Sequence, residues 1–225
     1  MNARTLAVLV VTVLLSGCAS YTPSLAPVPQ PTVKQWVVEG TVAVAADPYV
    51  EPERQRAVFD AELGKAGVIA VQVVAENRAD RAVLLRPSDM ILEFPDGSQL
   101  SPSGVTTVVN KVGESGSVVG AALAFGLVGA IVASNAEEEA RSARTGDYRD
   151  KAFKETTLGE NDSAHGFVFF VPPSGAQLFA DAILKVRFVD LDTAVTETVD
   201  VEISGLRYGA DDATEESEKE DSAVD

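Results

Sequence analysis

Thiol and imidazole chemistry rest on two residues in this chain, because Cys18 and His165 are its only cysteine and its only histidine. His165 opens the apolar run "HGFVFF" with no carboxylate or second base in view, so it is expected to be a strand-end polar residue and not a general base. A zinc site needs more nitrogen or sulfur ligands than the chain owns. Calcium chemistry would need oxygen donors. Asp190 and Asp192 project to one side of a strand end, and Asp89, Glu93 or Asp96 could approach from other loops. No calcium-loop spacing accompanies them, and turn positions in an acidic protein account for all five. Trp36, the sole tryptophan, opens the first strand and reads as a core or rim residue. The sequence has no Gly-x-Ser-x-Gly elbow and no phosphate loop. Neither enzymatic activity, nor a cofactor, nor a bound metal is expected.

The elements that would carry these residues are mostly strands. Short β-branched runs bounded by turn residues occur at 36–46, 68–77, 90–95, 165–172, 182–192 and 195–204. Leu184, Val186 and Phe188, then Val199, Val201 and Ile203, alternate with polar residues, which predicts a hairpin with one buried face. "PDG" at 95–97 and "PPSG" at 172–175 are turns. One helix is predicted over 52–64, with Val58, Phe59 and Leu63 on a narrow apolar side that would lie at a sheet edge or end. Six or seven such strands give a mainly β fold, an immunoglobulin-like β-sandwich over 36–207 with a helical insertion between strands.

The two ends of the chain differ in kind from this domain. "MNARTLAVLVVTVLLSGCAS" has Arg4, an apolar run from Leu6 to Leu15 and then small residues, the order of an export signal and too short to span a bilayer. Leu15-Ser16-Gly17-Cys18 resembles the lipobox of bacterial lipoproteins. The resemblance implies that residues 1–17 are a signal peptide, that the Cys18 thiol is acylated, and that acyl chains hold the mature protein on a membrane. Ala19, in place of an aspartate, implies sorting to the outer membrane with the domain facing the periplasm. Several acyl chains, at about 0.8 kcal/mol per buried methylene, make a firm anchor. The stretch 18–35, with prolines at 23, 27, 29 and 31, is an extended spacer. At the other end, 208–225 is acidic and lacks apolar bulk, which makes it a solvated tail.

Charge narrows the partners. Lys and Arg total 18 against 34 for Asp and Glu, a net charge of −16 that argues against nucleic acid and against anionic lipid surfaces. The 46% hydrophobic content suffices for one packed domain, which no disulfide can staple because Cys18 has no partner. "FDAELGKAGVIAVQVVAEN", "DMILEFPDGSQL" and "GFVFF" resemble elements of small envelope lipoproteins that carry an immunoglobulin-like domain of unknown function, a resemblance that implies architecture and no activity.

The remaining feature is an insertion from about Gly113 to Thr156. Ser117 to Ser134 holds no charged side chain, and as a helix it would extend about 27 Å, slightly less than a hydrocarbon core of about 30 Å. Small residues recur four apart, at Gly116, Gly120 and Ala124 and at Ala122, Gly126, Ala130 and Ser134, so that another helix could approach closely. The spacing resembles the glycine-zipper segments of some bacterial envelope proteins, though shorter and poorer in glycine. "NAEEEARSARTGDYRDKAFKE" is predicted helical, with Glu137 and Arg141 four apart, a break at Gly146 and Asp147 capping a further turn. Burial in the fold, association with a copy or another envelope protein, and membrane insertion all stay open for the apolar segment. The expected role is a membrane-anchored structural, assembly or interaction module that uses Gly116, Gly120, Ala122, Gly126, Ala130 and Ser134. The alternative is a periplasmic carrier or sensor for an apolar or metal ligand.

Overall fold

The computed structural model of the chain describes residues 36–115, 138–173 and 181–206. Two antiparallel sheets face each other across one apolar layer. The first has the order β1 (Val37–Glu39), β2 (Val42–Pro48), β3 (Ile69–Asn77), β7 (Ser163–Phe170). The second has the order β5 (Gln99–Leu100), β4 (Val83–Glu93), β8 (Asp181–Asp190), β9 (Thr196–Ser204), with β6 (Thr156–Leu158) pairing the other half of β4. Alternation decides what each strand turns inward. Val71 and Val73 of β3 meet Leu184, Val186 and Phe188 of β8 and Val199, Val201 and Ile203 of β9, all buried. The predicted β8–β9 hairpin is present, in register from Asp181 opposite Ser204 to Val189 opposite Thr196. The β-sandwich is therefore observed.

Several boundaries differ from the sequence reading. The run 36–46 is a hairpin of β1 and β2, not one strand, because Gly40 turns the chain with φ +61°, a conformation that L side chains rarely adopt. Only 90–95 was expected of β4, which begins at Val83. Pro87 cannot donate to the ladder, and the strand keeps its pairing by bulging: Leu85 faces Phe188 while Met90 faces Val186.

Helices form a third layer on the outer face of the first sheet. The helix α1 covers Pro52–Phe59 and stops at Asp60, not at Gly64, because Asp60 adopts the left-handed conformation (φ 51°) and its N–H donates to the Arg56 carbonyl. It packs on the outer face of the first sheet toward its edge strand β7: Val58 and Phe59 join Ala70, Phe167 and Phe169 in a second apolar cluster. A helix not read from the sequence, α2, covers Val105–Ser115 and adds Val108, Val109 and Val112 to that cluster. The inserted region thus begins before Gly113. Residues 138–151 form α3, which runs through Gly146 without the predicted break. Asp147 lies within it, not at a helix start, and pairs with Lys151 one turn on. Residues 1–17, 18–35, 208–225 and the charge-free segment Ser117 to Ser134 lie outside the described residues.

Candidate interaction site on the outer face of the first sheet

Strand β7 has apolar side chains on both faces, and this organises the site. Val168 and Phe170 enter the sandwich, while Phe167 and Phe169 point to the helices. An apolar run on a strand covered on both sides is the pattern expected of burial between two layers. Phe59 at the end of α1 meets four rings edge-on: Phe167 at 4.8 Å, Tyr148 at 5.2 Å, Phe169 at 5.7 Å and Tyr49 at 6.4 Å between centroids. Tyr49 meets Phe167 at 4.8 Å, so the cluster extends toward β2. Such ring pairs add about 0.5–1.5 kcal/mol each to their area burial.

Two polar bonds fix α3 on α1. The last carbonyls of α1 have no partner within their own helix. Tyr148 donates its hydroxyl to the Phe59 carbonyl at 2.9 Å, and Lys151 donates from Nζ to the Val58 carbonyl at 2.6 Å. The same ammonium meets Asp147 Oδ2 at 2.7 Å, with Lys151 buried and Asp147 nearly so. A cation at a helix C-terminus also complements the helix dipole. Burial pushes the Tyr148 phenol above its usual range, which keeps it a neutral donor.

Both ends of the helical excursion are bonded to β7. Where the chain leaves, Ser103 N–H donates to the Phe169 carbonyl at 2.7 Å, and its Oγ accepts from Val171 N–H at 3.1 Å. Where the chain returns, Phe153 N–H donates to the Phe167 carbonyl at 2.8 Å, beside a parallel bridge between Ala152 and Phe167. These bonds occupy the edge of β7, which has β3 as its one strand neighbour in the sheet. The arrangement holds a helical layer in one position on the sheet.

The chemically suggestive residues of the sequence fall elsewhere and apart. His165 is exposed on β7 opposite Val74. Asp190 and Asp192 do not share a face: Asp190 is buried and Asp192 exposed. Asp190 Oδ1 accepts the N–H groups of Asp192 and Thr193 at 2.9 Å each, and Oδ2 meets Arg81 at 2.6 Å. The Thr193 and Asp192 amides, with the Arg81 charge, hold its carboxyl below the usual carboxylate range. Glu93 is taken up by Gln99 and Lys185, Asp96 by the Ser98 N–H, and Asp89 by Ser88 and Arg86. Trp36 is a rim residue, half-exposed under the Arg78 guanidinium. Among the described residues no three His, Cys, Asp or Glu side chains converge as metal ligands, and no helix is long and apolar enough to cross a membrane. Cys18, Gly116, Gly120, Ala122, Gly126, Ala130 and Ser134 lie outside the described residues.

Sequence reasoning missed Lys151, Tyr148 and Asn77. Asp147 and Lys151 are visible as an i, i+4 pair, but their burial depends on α1, 93 positions from Lys151. Asn77 donates through Nδ2 to the carbonyls of Arg81, Leu158 and Gly159, tying three segments at one end of the sandwich. Its only local signal is a polar residue closing an apolar strand.

No protein-family model and no curated protein matches the chain. The structure has a distant likeness to a protein of Listeria monocytogenes EGD-e described as functionally unknown, with TM-score 0.34 and 10% identity over 84% of this chain and 98% of that one. At that level the likeness carries no argument about function.

Proposed function

We propose that this protein is an outer-membrane lipoprotein, anchored through acylated Cys18, whose β-sandwich displays a helical excursion as an interaction or assembly element. The observation that supports this reading is the fixing of the excursion at both ends: Ser103 and Phe153 are bonded to β7, and α3 is tied to α1 through Tyr148 and Lys151. The described helices on either side of the apolar segment are docked on the first sheet, so the points where it leaves and rejoins the domain are fixed. The partner is a second copy or another envelope protein. Nucleic acid is disfavoured by the net charge of −16.

The test is replacement of Gly116 to Ser134 by a short polar linker. The reading expects the domain to keep its circular dichroism and thermal transition while its association, measured by sedimentation or cross-linking in the envelope, is lost. Unfolding of the variant would make the segment part of the core and remove the basis of the reading.

A further inference from the structure

Among the described residues, the large apolar side chains left exposed are Trp36 (39%), Val38 (52%), Leu191 (46%) and Val195 (52%). Val38 lies on β1, Trp36 immediately before it, and Leu191 and Val195 in the turn between β8 and β9; five contacts place β1 and that turn at one end of the sandwich. Arg78 N–H donates to the Thr41 carbonyl, and its guanidinium lies 5.8 Å from the Trp36 ring. Leu191 N–H donates to the Ala82 carbonyl, Arg81 pairs with Asp190, and Glu197 sits against Gly40. The chain also enters the domain here, at Trp36.

We propose that this end seats on the neutral phospholipid surface that holds the anchor, with Trp36, Val38, Leu191 and Val195 as the contact residues; this rests on the reading of Cys18 as acylated. An indole beside a guanidinium, flanked by aliphatic side chains, is the combination that prefers the headgroup level of a bilayer. The tether from Cys18 joins the domain at Trp36, so this end is the part of the domain presented to the anchoring lipid, at an effective concentration that populates a weak contact. Exposed Asp80, Glu160 and Asp192 at the same end disfavour anionic headgroups, which selects a zwitterionic surface. The excursion leaves the sheet at the other end: Ser103 bonds near Phe170, which pairs with Ile69, whereas Asn77 closes the tether end. Lipid contact and helical contact therefore use different parts of the molecule.

Trp36 is the sole tryptophan, so it is a native probe of this contact. The full acylated chain is reconstituted into zwitterionic phosphatidylcholine and phosphatidylethanolamine vesicles, with and without bromine on the lipid acyl chains, and Trp36 emission is read. The expected result is a shift to shorter wavelength and an about twofold loss of emission in the brominated vesicles, because an indole at the headgroup level lies near the quencher. Leu191→Ser with Val195→Ser, checked for folding by circular dichroism, is expected to float with the vesicles and to show weaker quenching. Protein that is acylated by mass and floats, yet emits equally from both vesicle types, overturns the seat and leaves the anchor standing. A chain with no acyl group on Cys18 overturns both. A spectral shift that follows protein concentration without lipid assigns the patch to self-contact and overturns the proposal.

Discussion

Gly166 sits where backbone meets backbone. A Cβ at this position would stand 2.5 Å from the N and Cα of Phe153 and 2.9 Å from the Ala152 carbonyl carbon, so the returning end of the excursion could not lie on β7. Gly166→Ala is expected to destabilise the domain by about 1–3 kcal/mol, toward the upper part of the range for overpacking because the atoms it meets are backbone, measured by urea denaturation. Asp190 acts through charge. Its carboxyl is held below the usual range by the Thr193 and Asp192 amides and Arg81, so it favours the folded state above the pKa of an unfolded aspartate. That contribution is lost as pH falls from the ordinary carboxylate range through its lower folded value. Asp190→Asn should therefore lower the thermal midpoint at pH 7 and narrow its difference from wild type near pH 3. A difference that stayed constant with pH would assign Asp190 a purely steric role.

At the scale of elements, the link between α3 and α1 is the joint on which the interaction reading depends. Lys151 is buried and Asp147 nearly so, and removing one partner leaves the other charge largely shielded from water and unpaired. Lys151→Ala is expected to cost about 3 kcal/mol, whereas Lys151→Met combined with Asp147→Leu should cost much less. Comparing the single and double variants in a denaturation series separates a charge effect from lost packing. What the sequence reveals of these elements follows their local pattern. β8 and β9 alternate, and β3 and β7 carry apolar runs such as Val73 to Ala75 and Phe167 to Phe170, so all four are legible. Pro87 hides the first half of β4, because the bulge that accommodates it depends on pairing with β8. The β-branched stretch "VTTVV" hides α2, whose helical form is supported by burial of Val108, Val109 and Val112 against a distant sheet. The length of α1 was overestimated because the left-handed turn at Asp60 overrides an apolar spacing that continues to Leu63. The joint itself stayed hidden, since burial of Lys151 and Tyr148 is a tertiary property.

At the scale of the whole molecule, the two sheets have different surroundings. The first is covered by α1, α2 and α3 on its outer face, while the outer face of the second presents Lys185 between Glu93 and Asp200. The covered face carries the excursion, and the end bearing Trp36 receives the tether. Under the proposed function this division gives a lipid anchor and a partner contact separate places, with the sandwich core, filled by Leu, Val and Phe, as the frame between them. The most direct measurement uses residues 19–225, exported by a cleavable non-lipid signal and purified without acyl chains. Sedimentation equilibrium, repeated with envelope membranes present, reads whether the folded domain binds by itself. The account predicts a defined oligomer or sedimentation with the membranes. A folded, soluble monomer that ignores both would contradict it.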